Sequence, residues 1–200
     1  MKICGVTRVE DAQAAVEAGA DLIGLNFYAP SPRYLSIATA RAIRDAVSGR
    51  ACCVGVFVNA ERDYIDDRVR EVGLDMIQLQ VDDDAQGALA GWPIPVIHAL
   101  QLKPGESVPA ADRRRADYLL LDTFHPGLHG GTGVARPLDS LVGADLSRVF
   151  IAGGLTPGNV AAAAALKPYA VDVASGVESA PGVKDHQKLR SFIANAKSSR

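Results

Sequence analysis

The sequence predicts an α/β protein, a single (β/α)8 TIM barrel of minimal size spanning residues 1–200. Three observations predict it. Short apolar runs with no room for a helix recur along the chain, as strands buried on both faces do. Segments with helical spacing alternate with them, which implies a parallel sheet. Eight such units fill the chain with no linker, low-complexity run or second domain, and that favours a closed ring. A doubly wound open sheet is the alternative.

In order, residues 1–4 form a very short strand that Gly5 turns. Thr7 and Glu10 have the spacing of a capping box, ahead of a helix with Ala12, Ala15 and Val16 on one face. Residues 22–27 are the second strand, and 28–36, with Pro30 and Pro32, a loop. Ile37, Ala40, Ile43 and Val47 give the second helix its buried stripe. Residues 52–58 are the third strand, and Asn59 is placed to cap a helix whose inner face is Ile65, Val69 and Val72, stopped by Gly73. Strands follow at 75–79 and 94–100, with a short acidic helix at 85–90 between them. Residues 103–116 contain Pro104, Gly105 and Pro109, so the fifth helix is short or missing. Strand six is 117–121, a Gly/Pro-rich loop covers 122–136, and a short helix lies at 138–141. Strands seven (149–152) and eight (169–174) precede a last helix carrying Leu189, Phe192, Ile193 and Ala196.

The two late strands end alike. Val149-Phe150-Ile151-Ala152 meets Gly153-Gly154-Leu155-Thr156-Pro157, and the eighth strand meets Ser175-Gly176-Val177-Glu178. Glycine lets a backbone approach a ligand closely, and Thr156-Pro157 reads as an N-cap and first helical residue. Backbone amides at such turns suit phosphate, and in barrels of this kind the phosphate site follows the last two strands. Two ordinary tight turns are the plainer reading.

Composition narrows the partners. Net charge is −2, with no basic patch to suggest nucleic acid. No apolar run approaches the ~20 residues of a membrane span, and the opening residues leave no room for a signal segment. Cys4, Cys52 and Cys53 make neither a disulfide framework nor a Cys-x-x-Cys zinc site, so a reducing cytoplasm is expected. His125 and His129 lie in a Gly/Pro loop, a weak zinc pattern; His98 reads as a core residue and His186 as a solvated one. The helix faces predict no particular oligomeric state.

Reactive groups in a barrel project from the C-terminal strand ends. Those ends carry Cys4, Asn26, Gln78, Gln80, His98, Asp122, Asp172 and Ser175, with Arg33 in the second loop. Lys2 and Cys4 share a face, because side chains alternate along a strand. An interior lysine beneath the thiol would favour thiolate; a small buried filler is the alternative. Asp122 ends an apolar strand, where desolvation would favour the protonated acid; an N-cap or loop acceptor is the alternative. Arg33 has the planar fork that grips a carboxylate, or is a solvated loop charge.

Lys2-Ile3-Cys4-Gly5-Val6-Thr7-Arg8, Ser31-Pro32-Arg33-Tyr34, Leu121-Asp122-Thr123, Gly130-Gly131-Thr132-Gly133, Ala152-Gly153-Gly154-Leu155, Val171-Asp172-Val173-Ala174-Ser175-Gly176-Val177-Glu178 and Pro181-Gly182-Val183-Lys184-Asp185 stand in one order. In that order the chain resembles the phosphoribosylanthranilate isomerases from end to end. The resemblance implies a (β/α)8 barrel of tryptophan biosynthesis. Its reaction is the Amadori rearrangement of N-(5-phosphoribosyl)anthranilate to 1-(2-carboxyphenylamino)-1-deoxyribulose 5-phosphate. It implies Cys4 as general base, Asp122 as general acid and Arg33 as partner of the anthranilate carboxylate. Gly153, Gly154, Asp172, Ser175 and Gly176, with Gly131 or Gly133, would hold the rest of this phosphosugar substrate. No metal or organic cofactor is implied, because the anthranilate nitrogen itself makes the iminium.

The chain departs from the family pattern in two places. Gln80 stands where the family often has histidine, and Val134-Ala135-Arg136-Pro137-Leu138-Asp139 stands where it often has Phe-Asp-Trp, with Asp139 the candidate match. Two other readings stay open: a related barrel isomerase of the histidine pathway, which uses paired aspartates, and a phosphate-ligand binder without catalysis.

Overall fold

The computed structural model describes residues 1–82, 89–102, 115–123, 138 and 141–199. Its parallel strands are β1 (Lys2–Ile3), β2 (Leu22–Asn26), β3 (Cys52–Val58), β4 (Met76–Gln80), β5 (Val96–Leu102), β6 (Tyr118–Thr123), β7 (Val149–Ile151) and β8 (Ala170–Val173). They close in sequence order into a barrel, and Lys2 pairs with Leu22 on one side and Asp172 on the other.

Period-two alternation sorts the side chains. Ile3, Ile23, Leu25, Ile77, Leu79, Leu119, Leu121 and Val171 belong to the large cluster beneath the helices. Leu22, Val54, Met76, Ile97, Leu120, Phe150 and Ala170 form a separate apolar plug inside the ring. Phe150 is fully buried there, edge-on to Tyr118 with ring centroids 5.8 Å apart.

The described helices are α1 (Val9–Ala18), α2 (Ile37–Val47), α3 (Arg62–Val72), α4 (Val160–Ala165) and α5 (His186–Lys197). The expected stripe of α5 is buried, as is that of α2 except for half-buried Ile37, and Ser36 and Asp185 cap these helices through their side chains. Three expected helix starts move. Thr7 does not cap α1: its hydroxyl donates to the Gly182 carbonyl, and Arg8 occupies the cap. Asn59 does not cap α3. It adopts φ 45° and pins two loops together, donating to Asp82 Oδ2 (3.0 Å) and accepting from the Asp82 amide (3.1 Å), while Glu61 takes the cap. Thr156-Pro157 does not open α4, because Asn159 accepts from the Thr156 amide (2.7 Å) and donates to the Gly154 carbonyl (3.0 Å). An asparagine bonding the backbone a few residues before it offers the chain an alternative to helix, and α4 begins after it.

Strands β4, β5 and β6 begin one or two residues later than expected. Asp75 and Asp117 lie just outside them, each accepting a backbone N–H from a neighbouring strand: Cys53 N at 2.7 Å and Val96 N at 2.8 Å. A small antiparallel hairpin, β9 (Glu178–Ala180) and β10 (Val183–Lys184), was too short to read from periodicity. Most of the expected helices at 85–90, 103–116 and 138–141, and most of the 122–136 loop, lie outside the described residues.

The plug makes a direct prediction. Phe150→Ala should lower stability by about 3–5 kcal/mol, the usual cost of removing a fully buried phenyl ring, measured by urea unfolding.

Candidate functional site

The strand ends open on a cavity of about 510 Å3 whose walls include Cys4, Arg33, Gln80, Gln101, Asp122 and Asp172. A smaller cleft beside it is lined by Gly153, Gly154, Ser175 and Gly176, and shares Asp122, Asp172 and Ala174 with the first. The structure thus gathers Cys4, Asp122, Arg33, Asp172 and both late turns at one mouth. Gly131, Gly133, His125, His129 and Asp139 lie outside the described residues.

Below the mouth Lys2 is fully buried, its Nζ donating to Gln78 Oε1 (2.8 Å) and Asp172 Oδ1 (2.9 Å). Burial works against its charge, but Asp172 and, to a lesser degree, Cys4 together outweigh it and hold the ammonium above its ordinary value. Cys4 stands above Lys2 on the same face, anchored by its amide to the Val173 carbonyl (2.8 Å). Here an expectation is corrected. Burial pushes the thiol up; Lys2 pulls it down, Asp172 opposes Lys2, and the balance is upward. Lys2 serves both Asp172 and the thiol, and its pull on the thiol does not offset burial.

Room for the thiol comes from β2. A Cβ on Gly24 would lie 2.8 Å from Cys4 Sγ and 3.0 Å from its Cα. The signal was an isolated glycine within an apolar strand, which marks a close approach. The two late turns are joined in a similar way. A Cβ on Gly176 would lie 1.8 Å from the Leu155 carbonyl oxygen. Gly153 and Gly154 bend the first turn with φ of 86° and 61°, a conformation L side chains rarely adopt.

Arg33 is not a solvated loop charge. Its Nε and Nη2 donate to the two carboxylate oxygens of Glu178 at 2.8 and 2.6 Å, and this contact, the leading cause, raises the guanidinium's already high proton affinity. The loop that carries it is held by Asn26, whose Nδ2 reaches Ser31 Oγ (3.3 Å) and whose Oδ1 accepts from the Tyr28 amide (2.8 Å). Asn26 therefore shapes the loop, and Glu178, read only as part of a motif, is a partner of the site that side-chain type alone did not reveal. His186 is also placed differently from expectation: its Nε2 lies 2.8 Å from Oδ1 of buried Asp11. His98 is buried, as expected.

Among the described residues, no group of three His, Cys, Asp or Glu side chains is arranged to hold a metal ion. No helix of the described residues is long and apolar enough to cross a membrane.

The family model for N-(5'-phosphoribosyl)anthranilate isomerase matches residues 1–195. The chain belongs to the N-(5'-phosphoribosyl)anthranilate isomerase family. It is 48% identical over 196 residues to the isomerase of Pseudomonas fluorescens strain Pf0-1, covering 96% of this chain and 95% of that protein. The solved phosphoribosylanthranilate isomerase from Thermus thermophilus superposes with a TM-score of 0.86 at 37% identity, covering 100% of this chain and 98% of that one. Another solved isomerase, in complex with reduced 1-(o-carboxyphenylamino)-1-deoxyribulose 5-phosphate, has a TM-score of 0.77 at 37% identity, covering 98% and 97%. Within this family Gln80 takes a place on the cavity wall.

Two outcomes test the geometry around Cys4. Gly24→Ala, which crowds the sulfur, should cost about 1–3 kcal/mol of stability by overpacking. It should also lower turnover about 100-fold through misplacement of the thiol, as steady-state rates would show. In a Cys52→Ser background, alkylation of Cys4 by iodoacetamide should have its pH midpoint above the ~8.5 of free cysteine. Cys53 does not compete there, since burial pushes its thiol up to about 12.

Proposed function

We propose that this chain carries out its family's reaction. It isomerises N-(5-phosphoribosyl)anthranilate to 1-(2-carboxyphenylamino)-1-deoxyribulose 5-phosphate in tryptophan biosynthesis, as one (β/α)8 catalytic domain over residues 1–200. The observation that carries this is the continuity of the mouth: one cavity has Cys4, Asp122 and Arg33 on its walls and meets the glycine-lined cleft at Asp122 and Asp172. A ligand with a carboxylated ring at one end and a phosphate at the other matches that sequence of surfaces.

Asp122, as the general acid, protonates the furanose ring oxygen. The anthranilate nitrogen pushes in its lone pair, the C1–O bond breaks, and an iminium forms. Cys4, as thiolate, takes the proton from C2 and leaves an enolamine. The enolamine gains a proton at C1 and loses one from the C2 hydroxyl, giving the ketone and returning both groups to their starting states. Acid and base must hold opposite protonation states at one pH, the usual division of labour between two tuned groups.

Arg33 grips the ring carboxylate with its fork. Backbone amides at Gly153-Gly154 and Ser175-Gly176, joined by Gly131 or Gly133, hold the phosphate. Asp172 stands where a sugar hydroxyl would meet it. The chemistry asks for no metal or organic cofactor, and a soluble biosynthetic enzyme of this composition is assigned to the cytoplasm.

The test is direct assay of the purified chain with N-(5-phosphoribosyl)anthranilate, beside the aminoaldose of the histidine pathway. Only the first should turn over at a substantial rate. Cys4→Ser and Asp122→Asn should each lower kcat by about 10²–10⁴, the range for a lost general acid or base, with unfolding curves nearly unchanged. Near wild-type turnover in Asp122→Asn would overturn the acid assignment. With burial holding the thiol up, kcat/KM should rise with pH above neutrality as the thiol ionises.

A further inference from the structure

The β9–β10 hairpin supplies two charged side chains that the mechanism above does not use. Glu178 and Lys184 are both buried, and Lys184 Nζ donates to Glu178 Oε1 at 2.9 Å. The same ammonium donates to the Cys4 carbonyl (2.6 Å) and the Ala174 carbonyl (3.1 Å). A lysine has three N–H donors, and all three are taken, which leaves the group a single position. Glu178 completes the chain by holding Nε and Nη2 of Arg33 with its two oxygens. The stem of Arg33 lies over Gly5, the residue after Cys4: a Cβ there would be 2.3 Å from Arg33 Cδ.

One connected set of contacts thus runs from the arginine to the backbone of Cys4, and to Ala174 just before the Ser175-Gly176 turn. Its formal charge is +1, from two cations and one carboxylate. Burial disfavours the Glu178 charge, but Arg33 and Lys184 outweigh it and hold the carboxyl below its ordinary value. Burial lowers the proton affinity of Lys184, and Glu178 opposes that. Buried ion pairs are a poor way to gain stability, since well-packed apolar groups do as well. Their geometry is where they differ from apolar packing. Neither Arg33–Glu178 bond uses Nη1, and a guanidinium gripped on its Nε edge presents its end, through Nη1 and Nη2, to a second carboxylate.

We propose that Glu178 is a positioning residue that sets the direction of the Arg33 fork toward the substrate's aryl carboxylate, and that Lys184 ties this setting to the Cys4 strand and the phosphate turn. Recognition of the carboxylated ring is then registered against the base and the phosphate site by one rigid hairpin. This rests on the reading of Arg33 as the carboxylate partner.

The experiment compares two ligands by calorimetry: reduced 1-(o-carboxyphenylamino)-1-deoxyribulose 5-phosphate, and the same molecule without its carboxyl group. Glu178→Gln keeps the shape and removes the charge. It should weaken the carboxylated ligand at least about tenfold, the scale of one charge-assisted contact, and leave the other within about twofold. With substrate, KM should rise and kcat change little. Equal weakening of both ligands, or no weakening of either, overturns the proposal. If Glu178→Gln does not fold, Glu178→Asp, which keeps the charge but shortens its reach, is read by the same ratio and should discriminate less than wild type. Arg33→Met separates the two levels. If it keeps full discrimination, the carboxylate role of Arg33 fails and this inference fails with it. If it loses discrimination while Glu178→Gln keeps it, only the assignment of Glu178 fails.

Discussion

The buried contact of Lys2 with Asp172 and Gln78 is the constraint on which the rest of the site depends. β1 has only two residues in the ladder, yet it is the strand that closes the ring against β8. An ammonium taken fully out of water must find partners, and its partners stand on β8 and across the barrel on β4. That requirement fixes the register of closure. Once Lys2 faces inward, Cys4 must do so too, at the level where the interior opens.

Charge at the mouth is arranged around this lock. Burial, helped by Asp172, outweighs the pull of Lys2 and Lys184, so the thiol above remains weakly acidic although two cations stand near it. Its proton affinity is set by burial first and by charge second. The second ion network reaches Cys4 through its carbonyl oxygen, and the Lys184 ammonium adds a smaller downward pull on the thiol.

The glycines show a different economy. Gly24, Gly176 and Gly5 are placed where a Cβ would strike Cys4, the Leu155 carbonyl or Arg33, respectively. Each gives up packing area so that a neighbour can approach closely. The site is therefore shaped as much by side chains that are missing as by those that act, and a substitution as small as a methyl group at these positions is felt by the reactive groups.

Much of this was legible in the linear chain. Alternating apolar runs and helical stripes follow from burial on two faces or one, which is a local property, so the barrel and the stripes of α2 and α5 could be read directly. The strand-end rule placed Cys4, Asp122 and the late turns together because a parallel ring leaves reactive groups only one end to occupy. What periodicity cannot carry is pairing between distant polar groups. Thr7 forms its hydrogen bond with Gly182, Asn59 bonds Asp82, Asp11 bonds His186, and Arg33 bonds Glu178; each local expectation gave way to a partner far along the chain. The sequence by itself determined which residues are inside and which chemistry is at hand. Only the tertiary structure decided which charge answers which, because a buried ion is governed by its nearest neighbours in space and not by those in the chain.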